Sequence, residues 1–492
     1  MKKGLLIITI ALFTGFAGCK KVLDTKPGDA YSEADLFSNI SLTEQLVDFN
    51  YNVLDQWGMD MREFWGRRVG TENASDESWF HFTPSLFNIN TSVIDPDNQG
   101  LFTNLWNIYY SFIGKSNDFL SKIDAAPVST TNPEKVAFLK GEMKFLRAYA
   151  YMKLINYYGG VPIIDKPFGL NDDFSRERDS YKACVAFIVK ELDESAALIP
   201  SVTRMGTDFG RISKSACMGL KSRVLLYAAS PLHDPGNTAA PRGPLYDYDV
   251  AAKWQNAADA AKAVMDLNAY ALVAAPNAAA YQKLFLTPNN ELILGRPYSP
   301  DFAVSASDFN TFPDKALGPV SNGGWGLSNP THNFVQSFKM ANGKRITEVG
   351  SGYDDANLYV GREMRFYANI LYNGAIFKNK ALDYWQPGGK DSKDIGPPNH
   401  FAATGYNLRK FMDESITVDL QQSPKRPYPL IRLAEIYLNY AEASYFAGNE
   451  AVARQYASLT AQRVGLPAIT TTGTALLDDI KYERQMELFF EG

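Results

Sequence analysis

The chain has 492 residues, of which 46% are hydrophobic and 21% charged, a composition typical of a globular protein and not of a disordered one. Its 49 basic and 54 acidic residues give a net charge of −5, and no concentrated basic stretch indicates nucleic-acid binding. Aromatic residues make up 13% of the chain, which supplies many flat apolar rings.

The first residues have the pattern of a targeting segment. Lys2 and Lys3 give a positive start, Leu5–Phe16 is apolar, and a small-residue cleavage site ends at Cys19. The apolar run is shorter than the roughly 20 residues that a membrane-spanning helix needs. The pattern resembles the lipobox of bacterial lipoproteins. It predicts a signal peptide over 1–18 and lipidation of Cys19, as by palmitate, against the alternative of an ordinary signal peptide.

Helical periodicity governs the first half of the chain after this segment. A capped helix start is predicted at Ser32, and the stretch that follows the second predicted helix, 58–100, is irregular and rich in aromatic residues. Apolar spacings of three and four predict further helices over about 41–57, 101–123, 134–158, 179–198, 213–230 and 248–267.

The texture changes at about residue 270. Gly, Pro, Asn and Asp are dense over 270–428, which predicts a long loop-rich insertion with a few strands, such as the apolar run Glu291–Leu294. The pattern then predicts a buried helix from Pro429 to Gly448 and a second helix from Asn449. Arg432 and local polar groups are the expected partners of Glu435 and Glu442 in the first of these helices. These helix pairs predict a mainly α fold of tetratricopeptide-like hairpins that form a scaffold.

Metal-binding and redox patterns are absent from the sequence. Cys184 and Cys217 lie in apolar helical patterns, where they either stay buried free thiols or form one disulfide. The four His residues show no metal-ligand spacing, so no metal site and no cofactor is predicted.

Several sequence blocks together resemble one protein family. The blocks are Gly141–Tyr151 (GEMKFLRAYAY) leading to Tyr158–Pro162 (YGGVP), Arg211–Lys214 (RISK) with Lys221–Tyr227 (KSRVLLY), Gly405–Phe411 (GYNLRKF), Arg432–Ala443 (RLAEIYLNYAEA) and Glu483–Gly492 (ERQMELFFEG). In this order they resemble the SusD/RagB family of outer-membrane lipoproteins of Bacteroidetes. Since that family continues past the last block, the resemblance also predicts a fragment or a C-terminally shortened member.

The resemblance implies a fold, a location and partners. It implies a glycan-binding lipoprotein that is lipid-anchored in the cell outer membrane and exposed at the surface. It also implies a lid on a SusC-like TonB-dependent transporter, with the helical hairpins facing the transporter and the loops facing the glycan. The domain prediction is one SusD-like unit over 19–492, with scaffold segments at about 32–57, 101–268 and 429–492 and ligand-side segments at about 58–100 and 270–428.

Glycan binding needs aromatic rings for the apolar C–H face of a sugar and polar groups for its hydroxyls. The two ligand-side segments supply both kinds of residue. Trp325 stands between glycines, which leave a ring face open. The predicted ligand-binding residues are Trp325, Trp79, Tyr298, Arg67, Asp76 and Asn73, with Trp385 as a further candidate.

An enzyme is the less favoured reading of the chain. Glycoside hydrolysis needs two carboxylates about 5–10 Å apart, and the better candidate pair, Asp76 and Glu77 in the aromatic segment, consists of adjacent residues in a loop. No nucleophile elbow, zinc-protease or phosphate-loop motif occurs. The sequence therefore predicts a non-catalytic glycan-binding protein that delivers oligosaccharide or polysaccharide to its transporter. The alternative is a helical-repeat lipoprotein that binds a protein and no sugar.

Overall fold

The computed structural model describes residues 31–54, 61–62, 68–69, 71–80, 101–239, 241–297, 313–385, 387–393, 400–416 and 426–491. The helices are α1 (Glu33–Ser38), α2 (Ile40–Asn50), α3 (Leu101–Lys122), α4 (Pro127–Thr131), α5 (Pro133–Tyr158), α6 (Tyr181–Leu198), α7 (Lys214–Ala229), α8 (Lys253–Met265), α9 (Ala278–Lys283), α10 (Pro313–Leu317), α11 (His332–Ser337), α12 (Met364–Asn369), α13 (Leu433–Phe446), α14 (Glu450–Arg463) and α15 (Gly473–Leu488).

Short strands in the described residues pair two by two, all antiparallel. They are β1 (Met61–Arg62) with β2 (Arg68–Val69), β3 (Ser78–Phe80) with β5 (Ser328–Pro330), β4 (Leu292–Pro297) with β10 (Pro427–Arg432), β6 (Ile370–Leu371) with β9 (Asn407–Leu408), and β7 (Ile376–Phe377) with β8 (Lys380–Ala381). The prediction of a mainly α fold with a few short strands is confirmed.

The long helices pack as consecutive hairpins. Helix α5 packs on α3 and α6, α7 packs on α6 and α8, and α8 packs on α13, which continues into α14 and α15. Close approach is possible where small residues face a neighbour: a Cβ on Gly141 of α5 would lie 2.7 Å from Ile199. Most buried apolar side chains of the described helices and of the loop-rich segment belong to one contiguous cluster, and a small second cluster lies among α13, α14 and α15.

The predicted helix over 429–448 begins too early. Residues 427–432 form the fully buried strand β10, in which Tyr428 faces Arg296 and Arg432 faces Leu292 of β4, and the helix begins only at Leu433. A short apolar run fits a buried strand or a helix equally well, and the partner strand decides between them. The predicted end is confirmed, because Gly448 has a φ of +86° just past the helix.

Other sequence alternatives are also decided by the structure. Cys184 and Cys217 are both buried free thiols. Among the described helices, none combines the length and the apolar character needed to cross a membrane. Cys19 and the predicted signal peptide lie outside the described residues.

Charged residues from separate sequence blocks pair with one another inside the scaffold. Arg211 donates from Nε and Nη2 to the two carboxylate oxygens of the buried Glu142, at 3.0 and 2.6 Å. Arg223 makes the same two-pronged contact with Glu435, at 2.6 and 2.7 Å. The prediction that Arg432 pairs with Glu435 is therefore wrong, because Arg223 of α7 reaches this carboxylate across the helix interface.

Helix α15 carries the acidic side of a larger buried network. Glu483 and Glu487 lie one helical turn apart on one face, and Glu491 follows the helix at the same spacing. Four buried cations meet these three carboxylates, and Glu291 and Glu363 complete the network. The main contacts are Arg365–Glu483 (2.9 Å), Arg365–Glu363 (2.8 Å), Arg432–Glu487 (2.6 Å), Arg432–Glu491 (2.6 Å), Arg432–Glu291 (2.8 Å), Lys410–Glu491 (2.7 Å) and Arg463–Glu291 (2.5 Å).

The network joins distant parts of the chain. Arg365 and Lys410 come from the loop-rich segment, Arg432 ends β10, and Arg463 ends α14. Burial alone would raise the pKa of Glu487, but the charges of Arg463, Arg432 and Arg365 outweigh it and hold the pKa well below its usual range. The carboxylate therefore stays ionised although it is fully buried.

A second contact ties α15 to the segment that precedes β3. Gln485 Nε2 donates to Glu77 Oε1 at 3.1 Å. Burial raises the pKa of Glu77 to about 7, although the Gln485 hydrogen bond opposes this shift. The Glu77 carboxyl therefore titrates near neutral pH in the folded protein.

We expect Glu487→Gln to destabilise the fold by about 3–5 kcal/mol, because the amide leaves buried arginines without their counter-charge. The midpoint of urea unfolding measures this change. As a control, Asp266→Asn breaks the exposed Lys262–Asp266 pair of α8 and should leave the midpoint unchanged. Equal midpoints for the two variants would contradict a stabilising role of the network.

We expect Glu77→Gln to stabilise the protein at pH 8 and to have no effect near pH 4. The folded pKa of about 7 exceeds that of the unfolded chain, so the wild type loses stability as pH rises between about 4.5 and 8, and the variant lacks this loss. Thermal unfolding across this pH range measures the difference, with the exposed Glu134→Gln as the control. If the stability of wild type and of Glu77→Gln changes with pH in parallel, ionisation of the buried Glu77 does not destabilise the protein.

Candidate ligand-binding surface

The pairing of β3 with β5 brings the two predicted ligand-side segments together. Trp79 lies opposite Asn329 and Phe80 opposite Ser328 in this ladder. Thr331 N–H also donates to the carbonyl of Glu77 at 2.9 Å, which extends the contact beyond the strands. Residues near 79 and near 325 are therefore neighbours, although nearly 250 positions separate them in the chain.

Trp325 lies in a tight glycine turn. Its N–H donates to the carbonyl of Lys315 at 2.7 Å, and Gly326 N–H donates to that of Gly318 at 3.0 Å. A Cβ on Gly324 would lie 2.1 Å from the Gly318 carbonyl oxygen, so only glycine fits there. The backbone at Gly324 thus lies close to the backbone at Gly318. Trp325, the next residue, is half-buried and packs against the hydrophobic core.

The side chains of His400 and Lys315 lie against the ring of Trp325. The His400 ring stacks on it with centroids 5.5 Å apart and planes inclined by 27°. Lys315 Nζ lies 5.5 Å from its centroid. The flat apolar ring of Trp325 therefore lies in contact with an imidazole and an ammonium group, which are polar groups of the kind that sugar recognition uses.

Trp385 is the most exposed tryptophan of this region, with 78% of its surface open to solvent. The carboxylate of Asp391 holds its loop against the Trp325 turn: it accepts from Ser321 N–H at 3.0 Å and from Asp383 N–H at 3.1 Å. Such a large exposed apolar ring, on a loop whose backbone these hydrogen bonds hold, is a candidate contact for a ligand. We call Trp79, Trp325, Trp385, His400 and Lys315 the aromatic loop surface.

Asn329 positions part of this surface from inside. It is fully buried, its Nδ2 donates to the carbonyl of Tyr406 at 2.9 Å, and its Oδ1 accepts from Ala403 N–H at 2.9 Å. These bonds fix the 400–406 loop, which carries His400, to strand β5. Sequence reasoning missed Asn329, Asp391 and His400, because neither their spacing nor their neighbours distinguish them from ordinary loop residues.

Tyr406 lies in a polar group beside the same strand. Its hydroxyl is 3.0 Å from Nδ1 of His332 and 3.2 Å from the hydroxyl of Tyr359. Burial raises the pKa of Tyr406, and the contact with Tyr359 acts in the same direction. The phenol therefore stays neutral and serves as a hydrogen-bonding group rather than as an acid.

The residues predicted to bind the ligand are placed differently from one another. Trp79 and Trp325 are half-buried, and Asp76 is exposed. Asn73 is fully buried and accepts a hydrogen bond from Ser78 Oγ at 2.8 Å, so it supports the segment from within. Arg67 and Tyr298 lie outside the described residues. Ligand contact by these six residues stays a prediction.

Acidic side chains of this region include the adjacent residues Asp76 and Glu77. Asp76 is exposed, whereas Glu77 is hydrogen-bonded to Gln485, and the charge of Asp76 adds to the rise in the pKa of Glu77. Within the part of the chain that the structure describes, no three His, Cys, Asp or Glu side chains are grouped to hold a metal ion.

Comparison with known proteins gives a consistent result over the whole chain. A family model described as "SusD family" matches residues 290–492, and one described as "Starch-binding associating with outer membrane" matches residues 21–226. A SusD-like protein of Bacteroides ovatus is 23% identical over 509 aligned residues, which cover 100% of this chain and 81% of that protein. The SusD-like protein P38 of Formosa agariphila is 23% identical over 222 residues, 45% of this chain but only 41% of that relative.

Solved structures agree with this result. A SusD-like protein from Bacteroides fragilis is 27% identical and superimposes with a TM-score of 0.77, covering 95% of this chain and 87% of that one. A SusD-like carbohydrate binding protein from the same species is 23% identical with a TM-score of 0.74, covering 93% and 85% of the two chains. The sequence blocks, the helical hairpins and these matches lead to one conclusion: the chain belongs to the SusD/RagB family.

Proposed function

We propose that this chain is a non-catalytic glycan-binding protein of the bacterial outer membrane, which captures an oligosaccharide or polysaccharide at its aromatic loop surface. The observation that carries the proposal is Trp385, which is 78% exposed on a loop that Asp391 fixes to the Trp325 turn. A solvent-facing indole ring suits the apolar face of a pyranose.

The relatives support the same ligand class. One matching family is described as starch-binding, and one structural neighbour is described as carbohydrate binding. We further propose that the protein is a lipoprotein anchored through Cys19 and exposed at the cell surface. In this proposal it delivers the bound glycan to a SusC-like TonB-dependent transporter, and the family description as associating with the outer membrane supports that location.

The domain assignment is part of this proposal. We propose that residues 19–492 act as one SusD-like unit, in which the helical hairpins form the scaffold and the segments 58–100 and 270–428 form the ligand side. The contiguous hydrophobic cluster, which takes side chains from both parts, supports this division of roles within one unit.

We expect Trp385→Ala and Trp325→Ala each to weaken glycan binding at least tenfold, about 1.4 kcal/mol, because each removes a stacking surface. Calorimetric titration against a panel of soluble polysaccharides measures the affinity. Trp254→Phe is the matched control: Trp254 of α8 stacks on Phe446 at 4.1 Å within the scaffold, and the variant keeps a ring there. Binding that survives both surface substitutions would place the site elsewhere. The absence of binding to any glycan by folded protein would favour the protein-binding scaffold instead.

We expect Gly324→Ala to reduce glycan affinity about as much as Trp325→Ala. The new methyl group would meet the backbone oxygen of Gly318 at 2.1 Å, and the turn that presents Trp325 must then move. Gly114→Ala in α3 is the control, because nothing lies within 4 Å of its new methyl group. If Gly324→Ala binds like the wild type, the geometry of this turn does not set the affinity.

A further inference from the structure

A separate cleft of about 470 Å³ lies between the end of helix α2 and helix α3. Its volume is in the range of small-ligand sites, about 300–1,000 Å³. None of its lining residues belongs to the aromatic loop surface or to the ligand-side segments. The cleft is lined by Phe49, Asn50, Asn52, Val53, Asn107, Ile108, Ser111, Phe112 and Lys115.

One wall of the cleft carries an exposed aromatic ring. Phe49, in the last turn of α2, has 65% of its surface open to solvent although it adjoins the buried face of the helix. The turn that follows is fixed, because Asn52 Nδ2 donates to the Phe49 carbonyl at 3.0 Å and Asn52 Oδ1 accepts from Arg296 Nη2 at 3.0 Å. The ring is therefore presented on a held piece of backbone.

The opposite wall is a polar stripe of helix α3. Asn107, Ser111 and Lys115 are spaced by four residues, which places them on one face of the helix. In the described part of the chain, the side chains of Asn107 and Ser111 have no hydrogen-bond partner, and Lys115 has no carboxylate partner. An amide, a hydroxyl and an ammonium group are thus available along this wall.

Charge decides which ligand this cleft favours. Lys115 Nζ lies over the Phe49 ring, 6.0 Å from its centroid, so the ammonium group and the apolar ring are neighbours. Among the described residues, the lining contains one cation, Lys115, and no acidic side chain, and the Arg296 guanidinium donates to Asn52 of the lining. The site therefore complements a negative group held next to an apolar face.

We propose that this cleft binds an acidic sugar unit, a pyranose that carries a carboxylate or a sulfate. The C–H face of the ring packs on Phe49, the acid group pairs with Lys115, and the hydroxyls reach Asn107 and Ser111. The choice of a sugar rests on the proposed glycan-binding function, whereas the choice of an acidic one rests on the charges of the cleft. The protein then holds two glycan contacts of different chemistry.

The test is calorimetric titration of the protein, at low salt, with short oligosaccharides of galacturonate, of alginate and of sulfated galactan, and with maltotetraose as a neutral probe. We expect at least one acidic probe to bind, and Phe49→Ala and Lys115→Gln each to weaken it about tenfold. We expect added NaCl to weaken binding to the wild type more than binding to Lys115→Gln, because the ion pair is screened. Phe174→Ala is the matched control, since Phe174 is also a 65% exposed phenylalanine.

Two results would contradict the proposal that the cleft binds an acidic sugar. Either no acidic oligosaccharide binds to folded wild-type protein, or Phe49→Ala and Lys115→Gln bind the acidic oligosaccharide with unchanged affinity. These results are distinct from a failure of the proposed function, which the Trp385→Ala and Trp325→Ala variants test with the polysaccharide panel. If Trp385→Ala still binds an acidic oligosaccharide and Phe49→Ala does not, the result would support binding in the cleft independently of the aromatic loop surface.

Discussion

The fold depends on pairing the buried carboxylates of helix α15 with cations from other parts of the chain. The fully buried Glu487 stays charged because Arg432, Arg463 and Arg365 surround it, and Glu483 and Glu491 pair with Arg365 and Lys410 of the loop-rich segment. Removing any one of these cations would leave a buried carboxylate without its counter-charge. The scaffold and the insertion are therefore locked together, which explains how loops of such length present side chains in fixed positions.

The same principle explains the sequence blocks that carry the family resemblance. Glu142 and Arg211, Arg223 and Glu435, and Lys410 and Glu491 each join two different blocks through a buried or half-buried ion pair. The residues of the aromatic loop surface lie outside all of these blocks. The sequence blocks therefore report the ion-paired framework of the fold, whereas the proposed glycan contacts lie on loop residues outside these blocks.

The two candidate glycan contacts are built from different structural elements. The aromatic loop surface depends on close backbone packing, since Gly324 has no room for a side chain and Asp391 joins two loops through backbone amides. The cleft beside Phe49 depends on helix geometry, since its polar wall is one face of α3. The aromatic loop surface offers indole rings beside Lys315, and the cleft offers a phenyl ring beside Lys115, so the two proposed contacts differ in the apolar ring that a sugar would meet.

The sequence by itself determined the helices, because apolar spacing and end signals such as Gly448 are local. It also determined the family, and it singled out Trp325 because glycines flank it. Only the tertiary structure decided that residues 427–432 form a strand, since a short apolar run takes its form from the strand it pairs with. It alone decided that Arg223 is the partner of Glu435 and that Trp79 lies beside the Trp325 segment. Ion pairs and strand ladders join positions hundreds of residues apart, and no local pattern encodes such a contact.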